Sequence, residues 1–130
     1  MNTFQPIPAH VEEVAQETIG AAIEVHRILG PGFLERIYQE ALCLELQARG
    51  IVFERERPVA VHYRDVAIRG QRVDLIVAMC VLVELKALSR FDRAHDAQLI
   101  SYLKATGIRL GLLLNFNRPT LREGIRRIVL

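Results

Sequence analysis

The stretch Arg72-Val73-Asp74-Leu75-Ile76-Val77-Ala78-Met79-Cys80-Val81-Leu82-Val83-Glu84-Leu85-Lys86 decides how the chain is read. It consists of two apolar, β-rich runs with charge confined to the two ends. Paired as a hairpin centred on Met79, it sets Asp74 opposite Glu84. Directly opposite residues of antiparallel strands hold their Cβ atoms roughly 4.5–5.5 Å apart on one face. Alternation along the strands adds Lys86 to that face, with Arg72 opposite it. Two adjacent carboxylates repel, and so do two adjacent cations. A divalent cation between Asp74 and Glu84, with a phosphate near Lys86 and Arg72, relieves both repulsions. That is the outline of a metal-dependent phosphodiester-cleaving site. The competing reading is a solvated strand face with weak ion pairs, which Glu and Lys two apart commonly form. The turn Ala78-Met79-Cys80 also lacks the Gly, Asn or Asp that tight hairpins prefer. A one-residue slip would carry one strand's side chains to the opposite face.

The chain has 130 residues, 51% hydrophobic and 25% charged, which suits one globular domain able to bury a core. We expect a loose tail over residues 1–9, where Pro6 and Pro8 fall, and a single domain over 10–130. The longest apolar run, Leu75 to Val83, is too short to span a bilayer, so no membrane partner is expected. Met1 to Pro6 has neither a basic start nor an apolar core, so no signal peptide is read and the expected address is the cytoplasm. Cys43 and Cys80 form no CxxC pair and read as reduced, small hydrophobes. The net charge of +2 does not by itself announce nucleic-acid binding. Arg118, Arg122, Arg126 and Arg127 make the C-terminal segment locally basic, suited either to phosphates or to solvent.

From Val11 a helical stripe runs through Val14, Ala15, Thr18, Ile19, Ala22, Val25, His26 and Leu29, with His26 read as a packed histidine. Gly30-Pro31-Gly32 ends it. A second helix is expected from about Phe33 to Arg49, with Gly50 as its stop. Strand periodicity follows from Ile51. Pro58 marks an edge or a bulge, Arg64-Asp65 a turn into Val66-Ala67-Ile68, and Gly70 a break before the central hairpin. After Lys86, Ser89 or Asp92 offers an N-cap for a helix reaching Thr106, with Gly107 ending it. One stripe of this helix, Phe91, His95, Gln98 and Tyr102, is semi-polar, and Gln98 and Tyr102 are four apart and therefore neighbours. Ile108 to Phe116 reads as a buried strand parallel to the hairpin, and Leu121 to Leu130 as a short turn and a last strand. The expected architecture is α/β, with a mixed sheet and helices on both faces.

This order and these residues resemble the PD-(D/E)XK nuclease superfamily, with its restriction-endonuclease-like α-β-β-β-α-β core. Within it the chain resembles the group named for GxxExxY, here Gly32-Phe33-Leu34-Glu35-Arg36-Ile37-Tyr38. Asp74, Glu84 and Lys86 match the superfamily's metal and catalytic motif, although Val73 stands where its label has Pro. Gln98 and Tyr102 match the QxxxY motif of RecB-like nucleases. The likeness runs from about Ile19 to the C-terminus. It implies Mg2+ or Mn2+ held by Asp74, Glu84 and the backbone carbonyl of Leu85, with Glu35 as a further acidic ligand. It implies Lys86 orienting the attacking water or stabilising charge on the phosphate, and Gln98 and Tyr102 facing the site. Read only as residues, Glu35 suits the first turn of a helix, Tyr38 packs, and Gln98 and Tyr102 occupy an ordinary helix face.

Three functions follow. The first is a metal-dependent nuclease acting on DNA or RNA. The second is a nucleic-acid-binding or regulatory module that keeps the fold without turnover. The third is a structural protein, such as a homodimer assembled through an edge strand. Metal-dependent cleavage separates the first from the others, and salt-dependent binding without cleavage marks the second.

Overall fold

The computed structural model describes residues 5–130. Helices α1 (Ala9–Leu29) and α2 (Glu35–Ala48) come first, then strands β1 (Phe53–Tyr63), β2 (Val66–Val77) and β3 (Val81–Lys86). Helix α3 (Arg93–Thr106), strand β4 (Leu110–Asn115), a single 3-10 turn (Leu121–Gly124) and strand β5 (Ile125–Val129) complete the chain. The sheet order is β1-β2-β3-β4-β5. Only β3 and β4 are parallel, and α3 is the connection that parallel neighbours require. This is a mixed α/β fold consistent with a restriction-endonuclease-like core.

Helices lie on both faces, as the alternating strands demand. Val81, Val83 and Leu85 of β3 and Leu110, Leu112 and Leu114 of β4 pack with α1 and α2. Leu82 and Leu113 point the other way and join Leu99, Tyr102 and Leu103 of α3. Covered on both sides, β3 and β4 are continuous apolar runs, the pattern of central strands. The edges are β1 and β5. Pro58 lies within β1, where an edge strand tolerates the missing donor.

Two expectations are corrected here. Gly70 does not break the chain before the hairpin, because β2 runs through it from Val66 to Val77. The register moves from Val59↔Gln71 to Val61↔Ile68, so β2 carries one extra residue there. Gly70, at φ 136°, provides the conformation for this bulge. The second correction concerns the segment before α1. The helix begins at Ala9, and the carbonyls of Gln5 and Pro6 accept hydrogen bonds from the Arg109 guanidinium, so residues 5–8 are tied to the body. The remainder of the expected tail, residues 1–4, lies outside the described residues, as does most of the stretch read for a signal peptide. Among the described residues no helix is long and apolar enough to cross a membrane.

Candidate functional site

The β2–β3 hairpin has the expected register: Leu75↔Val83, Ile76↔Leu82 and Val77↔Val81 centre it on Met79. Its turn is made without glycine. Ala78 and Met79 both take positive φ, 49° and 60°, and Cys80 N–H donates to the Val77 carbonyl at 3.0 Å. The ladder stops one step short of the acidic pair. Asp74 N–H donates to Glu84 Oε1 and Leu85 N–H to Asp74 Oδ2, each at 2.8 Å. Each carboxylate thus takes the place of a backbone acceptor on the facing strand, and the two are locked reciprocally where the strands part.

Burial and proximity act together on this pair. Glu84 is 4% exposed, and desolvation, then the Asp74 charge, push its carboxyl up to about 8. Burial raises Asp74 as well, against the Leu85 N–H and Lys86. Glu35, the first residue of α2, is raised chiefly by burial and further by Asp74, while Lys86 and His95 hold it down. The charges of Asp74 and Lys86 therefore act on Glu35 from the other side of the sheet. Lys86 Nζ stands 3.9 Å from Glu84 Oε2 and donates a long bond, 3.5 Å, to Gln98 Oε1. Tyr102 is buried, and its hydroxyl is raised by burial and by the charges of Glu84 and Asp74. From α3, Gln98 meets Lys86 and Tyr102 feels both carboxylates.

The fold also explains how these groups are held. Asp92 caps α3, accepting from Ala94 N–H, while His95 Nδ1 accepts from Asp92 N–H at 3.2 Å. This reciprocal capping box fixes the turn that carries His95 toward Glu35. Tyr38 is fully buried against Phe116, with ring centroids 4.5 Å apart. Its hydroxyl donates to the Gly30 carbonyl at 2.6 Å and accepts from Phe33 N–H at 3.1 Å. It closes the loop that delivers Glu35, and Gly32 at φ 106° supplies the bend. His26 is packed as expected, its Nε2 2.9 Å from the Arg118 carbonyl oxygen. An open cavity of about 470 Å3 beside His26 and Arg122 contains none of the site residues.

Arg72 does not join. It pairs with Pro58 of β1, is exposed, and is not among the charges acting on the carboxylates. The basic C-terminal segment is half neutralised: Arg127 grips Glu12 with both terminal nitrogens, and Arg126 pairs with Asp96. Glu56 bears on the site without any signal in the sequence. It falls opposite Asp74, between Arg55↔Leu75 and Arg57↔Val73, has φ 53°, and its charge raises both Asp74 and Glu35. Its strand, Phe-Glu-Arg-Glu-Arg, carries two glutamates, and nothing in that alternation selects one.

Asp74 and Glu84 each have one oxygen engaged by a backbone N–H, and among the described residues no hydrogen bond occupies Asp74 Oδ1 or Glu84 Oε2. Hard oxygen donors of this kind suit Mg2+ or Mn2+, which complete their shells with water. One buried and one half-buried carboxylate, mutually repelling and with a lysine beside them, fit a divalent cation. Among the described residues no group of three or more His, Cys, Asp or Glu side chains is gathered for a metal, so any such ion leans on the pair, a carbonyl and water.

A mixed sheet with a splayed acidic hairpin, a lysine two residues on and a glutamine-tyrosine helix defines the class of nuclease-like α/β folds. The chain belongs to the PD-(D/E)XK nuclease superfamily, whose family model it matches over residues 12–128. Neither a curated protein nor a solved structure matches it significantly.

Proposed function

We propose that this chain is a metal-dependent nuclease of the GxxExxY group, hydrolysing phosphodiester bonds in DNA or RNA. The observation that carries the reading is the interlocked Asp74–Glu84 pair with Lys86 3.9 Å from Glu84. Asp74, Glu84 and the Leu85 carbonyl would hold Mg2+ or Mn2+, with Glu35 reaching the ion's shell through a bound water. When bound, the ion lowers the pKa of a water and neutralises phosphate oxygens. Lys86 donates to the attacking water or to the phosphate as negative charge builds on it. The water gives up a proton to solvent as its oxygen forms the new P–O bond, one ester P–O bond breaks, and the leaving oxygen takes up a proton from solvent. Gln98 holds the Lys86 ammonium, and Tyr102 walls the carboxylates from solvent on the α3 side. The unpaired thiols of Cys43 and Cys80 suit a reducing compartment, and we place the protein in the cytoplasm.

The test is cleavage of labelled single- and double-stranded DNA and RNA in Mg2+, Mn2+ or EDTA, with Glu84→Gln and Lys86→Ala alongside. We expect metal-dependent cutting by the wild type and a loss of about a hundred- to a thousandfold in each variant. Binding without cutting would convert the reading to a non-catalytic module. Variants that cut as well as wild type would remove these residues from the chemistry.

A further inference from the structure

We propose that the free end of the β1–β2 hairpin, residues 60–72, is an arm that enters the groove of a duplex nucleic acid and holds it across the carboxylate site. The inference rests on the nucleic-acid part of the reading above. Its basis is first topological. β1 is an edge strand, and β2 leaves β3 after Leu75↔Val83, so beyond that point β1 and β2 pair only with each other. Residues 61–72 are exposed without interruption. The sheet thus ends in a two-stranded ribbon open on both edges. A ribbon of this kind fits the major groove of B-form DNA, about 12 Å wide.

The charge on the arm names its partner. Residues 60–72 carry Arg64, Arg69 and Arg72 against Asp65 alone, three positive minus one negative, which equals the +2 of the whole chain. Among the described residues none of these three arginines makes an ion pair and all three are exposed, so the arm's excess charge faces solvent. Arg64 instead stands 5.7 Å from the Tyr63 ring centroid, a cation beside an aromatic face that a base can also stack on. Arg72 lies two residues before Asp74 on the same strand, about 7 Å at strand rise. A phosphate held by Arg72 therefore lies on the strand that leads into the acidic pair, outside the carboxylate cluster itself. The rival occupant is a second copy of the chain, seated on Val61, Tyr63, Val66 and Ile68, which pair across the hairpin and are all exposed. Unpaired arginines and the bulge at Gly70 are devices that keep an edge strand from joining another chain, and they favour the polyanion.

The test measures binding of the full chain to labelled duplex DNA and duplex RNA in EDTA across a salt series, with its mass followed by sedimentation. Arg64→Ala, Arg69→Ala and Arg72→Ala are combined, and Arg27→Ala, Lys104→Ala and Arg122→Ala remove the same charge elsewhere. Each lost phosphate contact lowers the slope of log K against log salt by about 0.9 on duplex DNA. We expect the arm variant to bind at least tenfold more weakly at 0.1 M salt, with its slope reduced by about 2 to 3. The control should change by less than 1. Equal losses in the two triple variants, or an unchanged slope in the arm variant, would overturn the arm. So would a dimer broken by Tyr63→Ser with Ile68→Ser while affinity stays unchanged, which gives the surface to a second copy. Arm-dependent binding without metal-dependent cutting would overturn the nuclease and leave the arm standing. Cutting with arm-independent binding would do the reverse, and no binding at all would overturn the arm.

Discussion

Glu84 is held in a conflict that its titration exposes. Its carboxyl is displaced from 4.5 to about 8 by burial and by Asp74, so near neutrality the metal-free pair keeps a proton. Between those two values the folded chain binds more protons than the unfolded one, and stability therefore falls as pH rises. The stabilisation is complete below the usual glutamate range and is lost as pH passes about 8. A tenfold change in proton affinity corresponds to about 1.4 kcal/mol, so the loss amounts to a few kcal/mol. We expect the midpoint of thermal unfolding in EDTA to drop steadily from about pH 5 to pH 8.5. Glu84→Gln keeps the acceptor for Asp74 N–H and should flatten the curve. Parallel curves for wild type and variant would mean that Glu84 does not control it. Mn2+ should raise the midpoint more at the alkaline end, where it meets an ionised pair.

The hairpin is the most legible element, because Asp74 and Glu84 fix its register from opposite ends of two apolar runs. Its turn is not legible. Ala78 and Met79 adopt left-handed conformations with no turn residue to announce them, and the surrounding strands impose what local preference opposes. Gly70 misleads because a glycine inside a strand pattern marks either a break or a bulge, and only the partner strand decides between them. The action of the His95 and Lys86 charges on Glu35 is equally hidden, since Glu35 and His95 stand on helices from opposite faces of the sheet. The loop before α2 gives this a measurable consequence. Tyr38 spans it with one hydrogen bond donated and one accepted. Tyr38→Phe keeps the stack on Phe116 and leaves the Gly30 carbonyl and Phe33 N–H without that partner, a cost of about 1–3 kcal/mol. We expect a lower unfolding midpoint together with weakened cleavage, because Glu35 follows the loop by two residues. Lost stability with cleavage intact would show that Glu35 does not depend on this anchor.

At the scale of the molecule, two helical layers over one mixed sheet follow from periodicity alone, because central strands buried on both faces admit few other arrangements. What periodicity does not carry is how tightly the distant parts must approach. Gly124, immediately before β5, is such a point: a Cβ there would lie 2.0 Å from the Asn115 carbonyl oxygen and 2.9 Å from its carbon. Asn115 is fully buried and stands beside Lys86 in the parallel ladder. Its side chain bonds both the N–H and the carbonyl of Leu88, at 3.0 Å each, and so holds the strand exit after the lysine. Contact with a backbone atom cannot be relieved by a rotamer change, so Gly124→Ala must displace β4 or the 3-10 turn. Overpacking of this kind costs about 1–3 kcal/mol and occasionally more. Asn115→Ala removes the Leu88 bonds without a clash and costs about 1–3 kcal/mol through unpaired groups. We expect denaturant unfolding to rank Gly124→Ala as the more damaging, and both to lower cleavage in the fraction that remains folded, because both move the segment that carries Lys86. A Gly124→Ala protein within about 0.5 kcal/mol of wild type would mean that the β4–β5 junction yields freely and that Lys86 is positioned by its own hairpin alone.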